Sequence, residues 1–164
     1  MTASSARKHV FISHHHQDDA LVTQLSDLLK SNGWDIRNSS IRAKPANQRR
    51  IDNGLVDPKV IQRLLRMKIS WAKTVLVLIG KETHTRQWVD WEIEEANAQG
   101  KRIVGVFAHG GQGADIPAGL EKYASAIVAW NTSSIVQAIE GATPFENSDG
   151  SPRPLVNPGA RTQC

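Results

Sequence analysis

Residues 74–79 read TVLVLI, six apolar or β-branched side chains in succession with no polar alternation. A strand with one wet face alternates polar and apolar residues, so such a run has to be buried on both faces. Burial on both faces demands one layer of helices above the sheet and another below it, which points to an α/β chain built around a mostly parallel sheet. Two further runs carry the same signature, HVFIS at 9–13 and RIVGVF at 102–107.

The segments between these runs have helical spacing. Asp18 and Asp19 open a pattern with Leu21, Leu25, Leu28 and Leu29 on one face, and Asn32-Gly33 supplies a left-handed stop. Trp34 to Arg37 reads as a short second strand, followed by a long polar connection to about Val56. Asp57-Pro58 is a helix start, a capping side chain before a proline at the first helical position. Val60, Ile61, Leu64, Leu65, Lys68 and Ile69 continue that helix as far as Trp71. A further helix is predicted from Arg86 to Gln99, ended by Gly100. After a glycine-rich loop at 109–113 and a turn at Pro117, Ala126 to Trp130 reads as the last strand and Ser133 to Glu140 as the last helix. Repeated strand–helix units imply right-handed crossovers, hence a flavodoxin-like, doubly wound three-layer fold with a five-stranded sheet in the order 2-1-3-4-5. Residues 1–141 form the expected domain. Residues 142–164 lose periodicity and gather proline, glycine and serine, and are expected to be a tail that Phe145, Leu155 and Val156 could tack down in part.

Composition narrows the function. At 164 residues the chain fits one domain, and no apolar run is long enough to cross a bilayer. Residues 1–8 lack the apolar segment of a secretory signal, so a cytoplasmic location is expected. Cys164 is the lone cysteine, which excludes an intrachain disulfide or a cysteine-based metal site. Part of the net charge of +4 lies between Arg37 and Arg50. That stretch reads as a solvated loop or a seat for phosphate. Nucleic acid is not an expected partner, because no DNA- or RNA-binding pattern accompanies the charge. His14, His15 and His16 are adjacent, and successive side chains at a strand end point to opposite faces, so no metal site is expected there. The glycines at 110, 111 and 113 lack the lysine and hydroxyl of a phosphate-binding loop.

In open parallel sheets ligands bind beyond the carboxyl ends of the strands, where strand order reverses. That rule selects Ser13, His14 and His15 after the first strand and the Gly80 to His84 stretch, with Thr83, after the third, as candidate substrate contacts. His14 and His16 also read as surface residues, and Ser13 as a cap for the turn. In the helix that follows, Val89, Ile93 and Ala96 mark the buried stripe. At about 100° per residue, Glu92 lies about 60° from the centre of that stripe, whereas Glu94 and Glu95 lie more than about 100° away. Glu92 is thus the acid expected at the margin of the core, one turn from Trp88. Periodicity alone leaves open a boundary glutamate paired with a surface arginine.

The segments VFIS at 10–13, VLVLIG at 75–80, WVDWE at 88–92 and KRIVGV at 101–106 resemble TIR and TIR-like domains. SHHHQD at 13–18 together with RQWVDWE at 86–92 looks most like the TIR-like proteins of Thoeris anti-phage defence. The resemblance runs from about Lys8 to Trp130. It implies that Glu92, four residues after Trp88, is the catalytic residue of an enzyme that cleaves the nicotinamide–ribose bond of NAD. It also implies a cyclic or modified ADP-ribose product that activates a separate effector, and a homo-oligomeric assembly. NAD would be the substrate, and no cofactor or metal is expected. Trp88 would wall the pocket, and His15 could move a proton near neutral pH. Two other functions fit the fold: a non-catalytic interaction scaffold, and a transferase acting on nucleosides. The triple histidine and the long basic loop depart from the usual TIR pattern.

Overall fold

The computed structural model describes residues 9–14, 19–38, 54, 57–80, 87–108, 116–147 and 150–151. Five strands, β1 (His9–Ser13), β2 (Asp35–Asn38), β3 (Thr74–Ile79), β4 (Arg102–Phe107) and β5 (Ala126–Val128), form one sheet. Every pairing is parallel and the order is β2-β1-β3-β4-β5, as the alternating pattern predicts. β3 is buried along its whole length, as its unalternating sequence requires.

Alternate residues of each strand feed opposite layers. Phe11, Val75, Val77, Ile79 and Ile103 pack under α2 (Pro58–Trp71), α3 (Gln87–Ala98) and α4 (Ala118–Tyr123). Val10, Ile12, Leu76, Leu78 and Val104 pack on the other face, under α1 (Asp19–Ser31) and α5 (Thr132–Ile139). Local chemistry fixes the helix ends. Asp57 accepts a hydrogen bond from the Lys59 amide at 2.9 Å, with Pro58 opening α2. The turn that stops α1 uses Gly33, whose φ of 88° is one that side chains beyond glycine rarely adopt.

Three expectations needed revision. α4 was not anticipated: it has six residues, a central Gly119 and one buried side chain, Leu120, too little to show a helical period. β2 begins at Asp35 rather than Trp34, because Trp34 is buried at the end of α1, its amide bonded to the Leu29 carbonyl. β5 stops at Val128, short of Trp130. Beyond α5, Phe145 bridges in parallel to Ile127, so part of the expected tail, residues 142–147, lies along β5. The connection 39–53 and Leu155 and Val156 lie outside the described residues. Among the described residues no helix is long and apolar enough to cross a membrane.

Candidate functional site

Because all five strands are parallel, their carboxyl ends share one edge, and α3 starts from that edge after β3. Val89, Ile93 and Ala96 are fully buried, as the helical period predicts. Glu92 is buried with them, at 0 % exposure, rather than standing at the margin as its angle suggests. The added cover comes from β1. Ser13 has the same strand parity as Phe11 and so meets the α3 layer. Its Oγ donates to Oε1 of Glu92 at 2.5 Å, and Ser13 is also wholly buried. The serine's hydroxyl is thus committed to the glutamate, a more specific role than the substrate contact or turn cap expected of it.

The other acids of α3 separate from this one. Glu94 is exposed. Glu95 is not simply solvated, since Arg66 Nε approaches it at 3.2 Å and Gln99 bonds it at 2.8 Å. Asp90 was not singled out from the sequence. Its Oδ1 is buried and makes no hydrogen bond among the described residues, and burial, reinforced by Glu94, pushes its carboxyl above the usual 3.8. The signal available was its position between two tryptophans, in WVDW.

Trp88 is half-buried against the core beneath α2 and α3, and meets Trp91 edge-on at 6.0 Å and 73°. His14, the residue after β1, is fully buried, which corrects the expectation of a surface histidine. His15, His16, Asp18, Thr83 and the glycine-rich loop lie outside the described residues. Among the described residues no group of three or more His, Cys, Asp or Glu side chains could hold a metal ion.

Two open clefts, of about 480 and 530 Å³, lie at the opposite edge, around His9, Lys73 and the start of β4. Two of their cations are spent on the fold. Lys101 donates to the Ser70 carbonyl, and Arg102 to the carbonyls of Ala138 and Ala142. The carboxyl edge, by contrast, holds an acid in a dry setting with a hydroxyl aimed at one of its oxygens. A carboxylate so held can stabilise a cationic centre, or accept a hydrogen bond from a sugar hydroxyl, without first shedding water.

The sequence of residues 11–112, more than half of the chain, matches the family model of the Thoeris protein ThsB, TIR-like domain. The chain belongs to this family. The matched stretch of the Thoeris TIR-like domain includes Ser13, Trp88 and Glu92, so the site lies within the region that defines membership. Among solved structures, a CMP N-glycosidase from Clostridium botulinum is similar over 81 % of this chain and 99 % of its own, with 17 % identity and a TM-score of 0.52. That likeness is one of fold. No curated protein matches the chain.

Proposed function

We propose that this Thoeris TIR-like domain cleaves the nicotinamide–ribose bond of NAD, with Glu92 as the catalytic residue. The observation that carries the reading is the sealed Ser13–Glu92 pair at the carboxyl edge of the sheet. Removing a carboxylate from water costs several kcal/mol, roughly, unless a function or a partner offsets it. A scaffold that only bound other proteins would be served as well by an apolar residue at position 92.

In the proposed reaction the C1′–N bond breaks and its electron pair neutralises the pyridinium nitrogen of the departing nicotinamide. Positive charge then develops on the ribose, as in other glycoside cleavages. Glu92 stabilises that charge or holds the ribose hydroxyls, and Ser13 fixes the carboxylate while it does so. Trp88 walls the nicotinamide side, with His14, His15 and Thr83 as further substrate contacts. Because solvent does not reach Glu92, the sugar has to displace part of its cover on binding. Attack at C1′ by another group of the substrate yields a cyclic product, and attack by water yields ADP-ribose. We further propose a homo-oligomeric, cytoplasmic enzyme that needs no cofactor and whose product activates a separate effector in anti-phage defence.

A second reading, cleavage of a nucleoside monophosphate, draws on the fold shared with a protein named as a CMP N-glycosidase. One experiment separates the two. Purified protein is incubated with NAD or with CMP, and the small molecules are resolved by mass spectrometry. Nicotinamide release from NAD, reduced at least about a hundredfold in Glu92→Gln, supports the proposal. Turnover of CMP alone favours the second reading, and undiminished activity in Glu92→Gln removes Glu92 from the mechanism. Glutamine keeps the volume and still offers Ser13 an acceptor, so the variant should fold.

A further inference from the structure

The helical period of α2 places Val60, Ile61, Leu64 and Leu65 in one broad apolar band, but the core takes only part of it. Ile61, Leu65 and Ile69 are buried. Val60, Leu64 and Met67 are 45, 37 and 63 % exposed, and all the large hydrophobic side chains exposed among the described residues lie on this one helix. With half-buried Trp71 they follow the spacing 60, 64, 67, 71, and at about 100° per residue they form a single stripe on the outer side of the helix. A four-three-four spacing is the seam by which one helix accepts another.

The charge beside the stripe is mostly positive: Arg63 and Lys68 flank it, Lys59 and Arg66 lie further round the helix, and the capping Asp57 is the one acid at its start. Lys59, Arg63, Arg66 and Lys68 are the charged residues of α2, which has no acid. Arg37 of β2 adds a fifth cation, its guanidinium lying 4.3 Å from the ring centre of Trp71. Within the fold α2 already receives one acidic helix. α3 carries Asp90, Glu92, Glu94 and Glu95 and no base, and it sits against α2 through the pair Arg66–Glu95, with Arg66 also over Trp91 at 5.6 Å. The outer stripe repeats the features of that seat: apolar knobs flanked by cations.

We propose that the outer face of α2 is a docking surface for an acidic amphipathic helix of a partner protein. A second copy fits it poorly. Pairing α2 with α2 sets cation against cation, and the acid-rich, base-free helix among those described, α3, is already packed against α2, α4 and the sheet. Segments 39–53 and 152–164 have more bases than acids, the wrong sign for this seat.

The test uses the full chain and two synthetic helical peptides, each about three heptads long with leucine at the seam. One carries glutamate and the other lysine at the flanking positions. Binding of the glutamate peptide, weakened by salt, at least about tenfold weaker for Leu64→Glu or Met67→Glu, and absent for the lysine peptide, supports the proposal. Both side chains face solvent, and thermal unfolding verifies that the variants remain folded. Failure of the glutamate peptide to bind, equal binding of both peptides, or unchanged binding by the variants overturns it. Two other results would also overturn it by naming a different occupant. One is self-association of the chain, seen by sedimentation, that Leu64→Glu abolishes. The other is capture by phosphatidylserine vesicles that Leu64→Glu abolishes while the peptide stays unbound.

Discussion

Ser13 and Glu92 stand 79 positions apart in the chain, yet the serine hydroxyl donates directly to the proposed reactive group. Ser13→Ala is expected to lower kcat for nicotinamide release by on the order of tenfold to a hundredfold while leaving KM nearly unchanged, since a hydrogen bond to a charged group contributes about 1.5–3 kcal/mol. Ser13→Thr should restore much of the loss. A fall confined to KM, or no rescue by threonine, would show that Ser13 does not position Glu92. Asp90 makes a separate prediction, about stability. Its folded-state carboxyl titrates above 3.8, because burial and then Glu94 disfavour its charge. Below 3.8 the acid is protonated in both the folded and the unfolded chain, so it carries no penalty. As pH rises through the raised folded value, the unfolded chain gives up the proton more readily and the native state loses stability. Asp90→Asn should therefore melt above the wild type at neutral pH, with the gap closing below 3.8; a gap of equal size at both pH values would assign the effect to something other than the charge. That Glu92 faces inward while Glu94 does not was legible because register on a helix is a local property. The serine partner of Glu92 was not, since nothing in a linear sequence reports a contact between the end of one strand and a helix two units further on. The burial of His14 was hidden for the same reason: it depends on what covers the sheet edge.

Helices declare themselves in a sequence when they are long and one-sided, and α1, α2 and α3 met that condition. Their boundaries fell within one or two residues of those predicted, because Asp57-Pro58, Asn32-Gly33 and Gly100 mark ends by backbone chemistry. The division of the α2 apolar band between core and surface was not readable, since it depends on how much of the helix the sheet can cover. α4 was missed altogether, and its glycine shows what it is for. A Cβ at Gly119 would lie 2.7 Å from Cγ2 of Ile93, which is fully buried and cannot give way. Glycine here lets α4 approach α3 at the residue next to Glu92. Gly119→Ala gains about 1 kcal/mol of helix propensity but overpacks the contact by about 1–3 kcal/mol. A net loss in melting temperature is expected, with a drop in turnover measured well below that temperature as α3 shifts. Removing the clash in the double variant with Ile93→Ala should make the two losses less than additive. Strict additivity, or an alanine variant as stable and active as the wild type, would contradict this account of the contact.

Across the whole molecule, the order of the sheet followed from the sequence because β3 could only be central and the crossovers have one hand. The pairing of residues 142–147 with β5 was legible only as a tail that Phe145 could tack down, since proline and glycine mask a segment that pairs without a strand's usual composition. Ala142 to Asn147 lie beside β5, where the Ile127 amide bonds the Pro144 carbonyl at 3.0 Å and the Glu146 amide bonds the Ile127 carbonyl at 2.7 Å. The Glu146 carboxylate accepts from the Ala129 amide at 3.0 Å and the Ser134 hydroxyl at 3.3 Å, joining the end of β5 to the first turn of α5. Arg102 reaches from β4 to the carbonyls of Ala138 and Ala142, tying the same corner together. We propose that the folding unit extends through Asn147, beyond the limit at 141 that periodicity suggests. Ending the chain at 141 removes all of these bonds except Arg102–Ala138, and at about 0.5–1.5 kcal/mol each the loss should reach about 3–7 kcal/mol. Ending it at 151 should change little. Glu146→Ala should account for part of the first loss, because it strips the acceptors from Ala129 and Ser134 while keeping the backbone pairing. The segment lies at the β5 side of the sheet, whereas Ser13 and Glu92 meet at the end of β1. Nicotinamide release per folded molecule, assayed in the cold, should therefore survive even the shorter truncation. Urea unfolding of the three chains beside the wild type decides the matter: equal midpoints for the chains ending at 141 and 151 would return the boundary to the end of α5.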